Sequence, residues 1–571
     1  MSNVKKKIFT VILAFICAFA AMACAVPEVE KEEEQFNEDL DTARTQLYVY
    51  NYNGGYGSSW LMRAKNRYEE LHANDELEPG KKGVQIIINS TKQIVTQGEV
   101  KVNHTNDVYF CEGIYYDQFR NEGAFADITE AVTGTNPYET GKTIESKLTA
   151  EQKNFYGIES GGTTHYYAIP HYSGYYGIIY NKALFDARGY YFAETPKGTD
   201  LVGKFIAPGN TQKSKGPDGK TGVVDGVDYS VDDGLPATYE EFYDLCDYIV
   251  QRQQKPFVWT GQYYELHLMN LYNNLVANYE GVANMMQNYT FSGNATDLGT
   301  ISSGNFVPDG TPTPLSADNG YETKRQAGKY YALEFLAKLI NTQSWQNDKA
   351  FSSTFSHTNA QSHFVRSVPD SEYTPTAMLI DGSWWEAEAS SLFSSVAASF
   401  GEEYAMENAN FAWMPLPRAT AAKSAKDQIL VDHLNSLGFV NNNSTKKALA
   451  MDFLQFVNTD ESLVEFTQVT NTVKALNYTL TNEQIATLNP YGQSLVRYKQ
   501  AANTKVVYPL ARNSLFVNNQ SMFNDFNYFY ARSSINNVSF AKAIFEDHKT
   551  PADLFTEHYN YYKNMWSTLN R

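Results

Sequence analysis

The residues best suited to ligand chemistry are Trp384 and Trp385, which follow an apolar run and the short sequence Asp381-Gly382-Ser383. An indole ring offers a large flat surface on which the apolar face of a ligand can stack, and a nearby carboxylate can accept hydrogen bonds. Adjacent side chains on a helix point in different directions, so the two tryptophans are expected to have different roles. The surrounding residues predict which one faces a ligand.

A strand and a helix are predicted to meet at these tryptophans. Met378–Ile380 predict a short buried strand that ends at the Asp-Gly pair. Ser383, followed three residues later by Glu386, forms a capping-box pattern. This pattern predicts a helix with Ser383 as its N-cap and Trp384 as its first residue. Open α/β sheets bind ligands at the carboxyl ends of their strands, so the junction is a candidate site.

The two sides of the predicted helix differ in polarity. Trp385 shares its side with three apolar or small residues: Ala389, Leu392 and Val396. Trp384 shares its side with three polar residues: Glu388, Ser391 and Ser395. We therefore expect Trp385 in the core and Trp384 against a ligand.

The N-terminal residues predict the cellular compartment. Lys5–Lys7 precede the apolar stretch Ile8–Met22, which is short for a transmembrane helix, and small residues follow. Residues 1–23 are therefore predicted to be a secretory signal peptide. The sequence "AMAC" resembles a lipoprotein-processing box, with Ala21 where leucine is commonest, and makes Cys24 the expected lipidation site. Ordinary signal cleavage with an incidental cysteine is the alternative.

The segment after the signal predicts a tether. Residues 24–44 hold eight acidic residues between Glu28 and Asp41 and few large apolar ones. Such a composition cannot bury enough apolar surface to fold, so we expect a flexible, lipid-anchored linker. The protein would then be held at the extracellular face of the cell membrane.

Composition narrows the class of ligand. The chain of 571 residues has a formal net charge of −18, which argues against nucleic acid as a partner and against general attraction to anionic membranes. We expect it to meet the membrane through its N-terminal lipid only. Aromatic residues make up 14% of the chain, with 41 tyrosines, which suit ligands that have an apolar face and a polar rim, such as sugars. The alternative is that most of these tyrosines cover strands and helices.

Two further features carry no predicted chemistry. Cys111 and Cys246 remain beyond the lipid site, and the sequence leaves their pairing open, with two buried thiols favoured. The Asp/Gly-rich insert at residues 216–235 superficially resembles a calcium loop, but its aspartates lack the alternate spacing that calcium loops need. An exposed hairpin is favoured there, and we predict no metal site and no cofactor.

Strand and helix patterns alternate along the chain. Apolar runs predict strands at Leu47–Tyr50, Val84–Asn89 and Asp107–Phe110, and helical patterns lie between strands. Thr238 with Glu241 three residues later predicts another capped helix. This alternation predicts an α/β fold, and the length of the chain allows two lobes.

Several segments resemble the family 1 extracellular solute-binding proteins, the receptors of carbohydrate ABC importers to which the maltose-binding protein belongs. The matching segments run in the family's order: the lipoprotein box, "LYVYNYNGGYG", "NDVYFCEG" with "GAFADIT", "YYAIPHYSGYYGIIYNKALF", "PATYEEF", "AQSHFV" with "TAMLIDGSWW", "FAWMPLPR" and "NNNSTKKALAMDFLQFVN". The segments "IIYNKALF" and "TAMLIDGSWW" are the most specific.

The resemblance implies an α/β, two-lobe, periplasmic-binding-protein-like fold whose hinge-linked lobes enclose a cleft. It places residues 45–169 and 416–470 in lobe one, and residues 170–415 and 471–571 in lobe two. It also implies a monomeric, non-catalytic receptor that captures a carbohydrate, expected to be an oligosaccharide, and delivers it to the permease subunits of an ABC transporter. Within this reading we expect the cleft to be lined from both lobes.

The expected ligand-binding residues follow predicted strands or lie on loops. Lobe one would contribute Asn53, Tyr56, Glu112 and Tyr115. The hinge and lobe two would contribute His171, Tyr172, Tyr175, Trp259, Tyr263, Asp381 and Trp384. For each of them the alternative is packing beneath a loop.

Two other classes of protein stay open as alternatives: a secreted glycan-active enzyme and a surface glycan-binding adhesin. A glycosidase needs two carboxylates about 5–10 Å apart, whereas Glu386 and Glu388 diverge because they lie two residues apart on the predicted helix. The sequence holds no G-x-S-x-G hydrolase motif and no H-E-x-x-H metal motif. We therefore predict a protein without catalytic residues.

Overall fold

The computed structural model describes residues 39–224, 227–423, 427–433, 436–523, 530–532 and 537–571. The predicted signal peptide and the lipidation site at Cys24 lie outside the described residues.

The described strands are β1 (Thr45–Tyr52), β2 (Val84–Thr91), β3 (Val108–Cys111), β4 (Ile158–Ser160), β5 (Thr163–His165), β6 (Ile169–Pro170), β7 (Tyr176–Asn181), β8 (Val223–Val224), β9 (Val227–Asp228), β10 (Lys255–Val258), β11 (Gly293–Ala295), β12 (Gly299–Ser302), β13 (Asn305–Pro308), β14 (Thr313–Leu315), β15 (Thr376–Gly382), β16 (Phe411–Met414), β17 (Gln428–Val431), β18 (Leu437–Val440), β19 (Thr504–Val507), β20 (Tyr530–Arg532) and β21 (Asn537–Ser539).

The described helices are α1 (Ser59–Leu71), α2 (Gln97–Val102), α3 (Tyr116–Asn121), α4 (Thr129–Thr133), α5 (Ala150–Tyr156), α6 (Lys182–Arg188), α7 (Tyr239–Gln251), α8 (Tyr264–Thr290, broken at Gly281), α9 (Ala327–Asn341), α10 (His357–Arg366), α11 (Trp385–Glu388), α12 (Ser390–Phe400), α13 (Lys447–Phe456), α14 (Asp460–Thr470), α15 (Asn482–Ile485), α16 (Pro490–Gln500), α17 (Ser514–Val517), α18 (Gln520–Phe523), α19 (Phe540–Asp547) and α20 (Pro551–Met565).

Two sheets organise the chain. The first has the strand order β2-β1-β3-β18-β6, with β1 parallel to β2 and β3, and β18 antiparallel to β3 and β6. The second has the order β10-β15-β7-β16, in which β7 is antiparallel to both of its neighbours. Every residue of β3, β7, β15, β16 and β18 is buried, as expected for sheets covered on both faces. The predicted α/β class is confirmed.

The chain passes repeatedly between the two sheets. It leaves the first sheet after β6 and enters the second at β7 through residues 171–175, which we call the crossing segment. It returns from β16 to β18, and after α14 it leaves again toward α16, which packs on β16. Two sheets joined in this way form the predicted two-lobe fold; lobe one holds the first sheet and lobe two the second. The boundaries placed at residues 170, 416 and 471 stay predictions.

The junction before the paired tryptophans differs from the sequence-based prediction. The Asp-Gly pair does not break the strand but forms its last two residues, because Asp381 and Gly382 pair with Gly177 and Tyr176 of β7. The prediction of Ser383 as an N-cap is also wrong. Its hydroxyl accepts a hydrogen bond from the backbone N–H of Tyr175 at 3.2 Å, so it joins the strand end to the crossing segment instead.

Other local predictions agree with the structure. Thr238 caps α7 by accepting a hydrogen bond from the N–H of Glu241 at 3.2 Å. The Asp/Gly-rich insert contains the hairpin of β8 and β9. Cys111 and Cys246 are free and buried, which confirms the two buried thiols. Within the described residues, no helix has both the length and the apolar character needed to cross a membrane.

Candidate functional site

A row of aromatic rings links the two lobes beside the crossing segment. Tyr56, on the glycine-rich turn after β1, lies 4.1 Å from Tyr172 and 6.4 Å from Trp384, measured between ring centroids. Tyr176, the first residue of β7, meets Trp384 edge to face at 5.0 Å. The hydroxyl of Tyr56 donates to the carbonyl of Ser173 at 2.8 Å. Rings from lobe one, the crossing segment and lobe two thus form one surface around Trp384.

The glycine-rich turn of lobe one approaches Trp384 closely. Gly55 has φ +101°, and a Cβ atom placed on it would lie 2.6 Å from Cδ1 of Trp384. Both the backbone conformation and the lack of space require glycine here. The close approach means that lobe one rests directly on the tryptophan of lobe two in this structure.

Glu112 brings a carboxylate from lobe one to the aromatic row. It follows β3, and its Oε2 accepts a hydrogen bond from the Tyr172 hydroxyl at 2.8 Å. The side chain of Tyr52, the last residue of β1, also hydrogen-bonds to it. The pKa of Glu112 is raised to about 7: burial is the main cause, both tyrosine hydrogen bonds oppose it, and the charge of Glu388 adds to it.

Lobe two brings two more carboxylates to the same place. Nε2 of Gln361, a buried residue of α10, donates to Oδ2 of Asp381 at 3.2 Å and to Oε2 of Glu388 at 2.9 Å. Burial raises the pKa of Asp381, and the nearby His267 lowers it. His357 places Nε2 3.4 Å from Oε1 of Glu388. A polar network on one side and aromatic rings on the other is the combination found in many small-molecule sites.

A small pocket of about 40 Å³ adjoins the aromatic row. Tyr172 belongs to its wall, and His433, also in the wall, lies 5.8 Å from the ring of Tyr176. The remaining lining residues are Gln152, Tyr156, Pro170, Asn273, Tyr289, Asp432, Ser436, Ala475, Tyr508, Pro509, Leu510 and Phe523. Burial lowers the pKa of His433 to about 3, so this side chain is neutral at physiological pH. The pocket takes its walls from both lobes.

The two tryptophans have the separate environments expected from the sequence. Trp385 is fully buried among Phe364, Phe411 and Tyr491, which confirms it as a core residue. Trp384 is half-buried and stands at the N-cap position rather than inside the helix, so its predicted place as first helical residue is wrong by one. It nevertheless faces the ring row between the lobes.

The predicted ligand-binding residues fall into three groups. Tyr56, Glu112, Tyr172, Asp381 and Trp384 come together around the aromatic row. Tyr263 is 44% exposed and lies 5.9 Å from the ring of His357, at the outer edge of the carboxylates of lobe two.

The remaining predicted residues are Asn53, Tyr115, His171, Tyr175 and Trp259, and of these His171 lies 4.9 Å from the ring of Tyr172. Asn53 and Tyr115 are half-buried, at the end of β1 and just before α3. Tyr175 and His171 are buried in the core, and Nδ1 of His171 lies 2.8 Å from Nζ of the buried Lys474. Trp259 is fully buried and donates its indole N–H to the carbonyl of Ala350 at 2.8 Å. Buried side chains of this kind can meet a ligand only when the structure opens, and the same holds for Tyr56, Tyr172 and Tyr176 of the cluster.

Sequence reasoning missed several members of the cluster: Tyr52, Tyr176, His267, His357, Gln361 and Glu388. Glu388 carried a usable signal, because the helical pattern already placed it on the same side as Trp384. Tyr52 is the last residue of β1, and position at the carboxyl end of a strand alone favours ligand contact. The histidines and Gln361 offered no such signal. Within the described part of the chain, no three His, Cys, Asp or Glu side chains are grouped so that they could hold a metal ion.

These features define a two-lobe binding protein of the α/β class, with a polar and aromatic cluster between its lobes. Residues 57–463 match the family of bacterial extracellular solute-binding proteins, and the chain belongs to that family. No curated protein sequence matches the chain.

Solved structures share the fold at low sequence identity. One, from work on xylan utilization by the thermophilic bacterium Caldanaerobius polysaccharolyticus, aligns with TM-score 0.52 and 13% identity over 90% of this chain and 99% of the other. A chitin oligosaccharide binding protein aligns with TM-score 0.51 and 13% identity over 92% and 99%. The solute receptor AcbH, described as preferring galactopyranose exclusively, aligns with TM-score 0.50 and 12% identity over 91% and 100%. At these identities the likeness establishes the fold alone.

Proposed function

We propose that the protein is a non-catalytic receptor that captures a carbohydrate, in particular an oligosaccharide, between its lobes. The observation that carries this proposal is the cluster around Trp384, where tyrosine rings and hydrogen-bonding carboxylates from both lobes converge. Aromatic faces suit the C–H faces of a sugar ring, and carboxylates and an amide suit its hydroxyl groups. The similar proteins described as binding galactopyranose and chitin oligosaccharides support this choice of ligand.

We also propose where the protein is held and how it passes on its ligand. The mature protein would be anchored by a lipid on Cys24 at the extracellular face of the membrane, as a monomer, and would deliver its ligand to the permease subunits of an ABC transporter. Mass spectrometry of membrane-extracted protein tests the anchor. An N-terminal lipid-modified cysteine is expected, and recovery of only unmodified protein would contradict it.

A second candidate is glycan hydrolysis, which one observation favours. Glu112 has a pKa of about 7, suitable for a general acid, and the charge of a second carboxylate, Glu388, acts on it from the other lobe. Against this role, Tyr172 already donates to Glu112, and Gln361 to Glu388.

One experiment separates the two candidates. The protein is titrated calorimetrically with a panel of oligosaccharides of different linkage, and each mixture is then analysed by chromatography. A receptor gives saturable heat and leaves the sugar unchanged. Continued release of product at catalytic amounts of protein would assign it to the enzymes, and absence of binding across the panel would contradict a sugar receptor.

A further inference from the structure

His433 lies where the aromatic row meets the pocket. Its ring is edge to face with the ring of Tyr176 at 5.8 Å, and Tyr176 in turn meets Trp384 at 5.0 Å. The same side chain belongs to the wall of the pocket, together with Tyr172. The backbone N–H of His433 donates to the carbonyl of Gly174 at 3.0 Å. His433 is therefore fixed to the crossing segment, beside the place proposed for the ligand.

The side chain of Asn274 determines which ring nitrogen of His433 carries the proton. Oδ1 of Asn274 accepts from the N–H of Val431 at 3.0 Å, and its Nδ2 donates to the carbonyl of Asn270 at 2.9 Å. These two contacts leave one orientation for the amide, so Nδ2 is also the donor that faces Nε2 of His433 at 3.0 Å. Nε2 must then accept, and the proton of the neutral ring lies on Nδ1.

The Nδ1–H group of His433 is available to a ligand. Within the part of the chain that the structure describes, no acceptor lies within hydrogen-bond distance of Nδ1. The side chain is half-buried, and the pocket is the open volume beside it. His433 therefore supplies the pocket with a neutral hydrogen-bond donor.

Asn273 supplies an acceptor to the same pocket. It lines the wall and is 2% exposed, and among the described residues its Oδ1 has no hydrogen-bond partner. A buried amide oxygen without a partner costs about 1–3 kcal/mol, so an unpaired oxygen here indicates a partner from outside the chain. The pocket of about 40 Å³ has room for a small polar group, such as a hydroxymethyl group, but not for a sugar ring.

Resting on the proposed function, we propose that His433 and Asn273 form a specificity subsite that recognises one hydroxyl group of the bound saccharide. The Nδ1–H group of His433 donates to the hydroxyl oxygen, and the hydroxyl group donates its own proton to Oδ1 of Asn273. A hydroxyl group satisfies both side chains at once, whereas a methyl ether satisfies only the donor and a deoxy position satisfies neither. A site built in this way rejects the analogue that lacks the hydroxyl group, because its buried polar groups are left unpaired.

The test uses monodeoxy analogues of one neutral oligosaccharide that binds in the panel. Each analogue lacks one hydroxyl group, and its affinity is compared with that of the parent sugar by calorimetric titration. We expect one position at which removal weakens binding at least about tenfold in the native protein but less than about threefold in His433→Gln. Glutamine keeps an acceptor for Asn274 but has no donor in the place of Nδ1. The other positions should keep their native ratios.

Two further variants control for changes in folding. His433→Asn places an amide N–H near the position of Nδ1 and should keep the discrimination. His104→Gln, at an exposed histidine, should leave every ratio unchanged. Thermal melts check that each variant is folded. Nitrogen NMR of the native protein needs no variant and should show the proton of His433 on Nδ1.

The outcomes separate the subsite from the receptor. If no sugar of the panel binds, the receptor function fails and the subsite fails with it. If a sugar binds but His433→Gln weakens the parent and all its analogues by one common factor, or changes none of them, the receptor stands and the subsite is overturned, since the pocket then holds water only. A proton on Nε2 of His433 would overturn the subsite as well.

Discussion

The adjacent residues Trp384 and Trp385 have different roles in this protein. Trp385 packs among buried aromatic rings in the core of lobe two, whereas Trp384 lies between the glycine turn of lobe one and Tyr176 of lobe two. The difference follows from the helix that begins between them, which turns consecutive residues to different sides.

Alanine variants of the two tryptophans should separate binding from stability. Trp384→Ala should weaken sugar binding by about 1–3 kcal/mol, the loss of an aromatic anchor, and change the melting temperature little. Trp385→Ala should cost about 3–5 kcal/mol of unfolding free energy because it empties a packed core position. Both are measured by calorimetric titration and thermal melts. Normal binding by Trp384→Ala, with a well-folded but non-binding Trp385→Ala, would reverse the assignment.

A second prediction for a single residue concerns the protonation of Glu386 and its effect on stability. Burial raises its pKa to about 8, and Nδ2 of Asn489 donates to its Oε2 at 2.7 Å. A raised folded-state pKa contributes stability that is present below the unfolded pKa, about 4.5, and that is lost as pH rises to about 8. The native protein should therefore lose stability between pH 5 and pH 8, whereas Glu386→Gln should not. Over this range the unfolding free energy of Glu386→Gln, relative to that of the native protein, should rise by more than about 1 kcal/mol.

The measurement is denaturant unfolding of both proteins at about pH 5 and about pH 8. Glu407→Gln, a substitution of an exposed glutamate, serves as the surface control. Parallel pH profiles for the native protein and Glu386→Gln would show that Glu386 does not hold a proton in the folded state.

At the scale of elements, the turn after β1 sets how closely lobe one approaches Trp384. The turn can contact Trp384 because residues 54 and 55 are glycines and because β1 ends beside β3, the strand that Glu112 follows. Side-chain bulk at this turn would act on the distance between the lobes rather than on the core of either one.

Gly55→Ala should therefore weaken ligand binding about tenfold or more, because the new methyl group would push Trp384 aside and because φ +101° disfavours alanine. Gly57→Ala is the matched control: it has φ +70° and nothing within 4 Å of its Cβ position, so it carries the backbone strain without the clash. Calorimetric titration of both variants with the same sugar compares their affinities. Equal losses in the two would attribute the effect to strain alone.

The elements also show how much the sequence could predict. Hydrophobic periodicity predicted strands β1, β2 and β3 of the first sheet and the burial of Trp385, because these depend on neighbours in the chain. Trp259 was misplaced in the predicted set because the carbonyl that accepts its indole N–H belongs to Ala350, far along the chain. Tyr176 was missed because the pairing of β7 with β15 brings Trp384 beside it, and its other neighbour, His267, comes from α8. Such long-range pairing leaves no local signal.

At the scale of the whole molecule, a second contact joins the lobes on the side of the pocket. Asn513 attaches the C-terminal segment to α8 of lobe two, and β19 of this segment pairs with β17, which packs on α8. From this segment Arg512 reaches Asp117 of lobe one, with Nη1 2.5 Å from Oδ1, and Gln520 donates to Oδ2 of the same carboxylate at 3.1 Å. The buried Asp117 is thus held from lobe two.

Arg512→Ala should lower the unfolding free energy by about 1.5–3 kcal/mol, because Asp117 loses one charged hydrogen-bond partner but keeps Arg120 and Gln520. It should also raise the radius of gyration of the ligand-free protein, because the lobes lose a contact. Thermal melts and small-angle X-ray scattering measure the two effects. Arg571→Ala, which removes a pair with the exposed Asp318, is the control and should change neither. An unchanged scattering profile would show that the lobes stay together without Arg512.

The strand order of the first sheet has a consequence for synthesis. Strands β1, β2 and β3 are among the first described residues made, but β18 lies between β3 and β6. Until residue 440 has left the ribosome, β3 and β6 have no strand between them, and their backbone groups on that side lack partners. An N-terminal fragment that stops before Leu437 should therefore expose two open strand edges and aggregate. The two lobes are separate in space but must complete their folding as one chain.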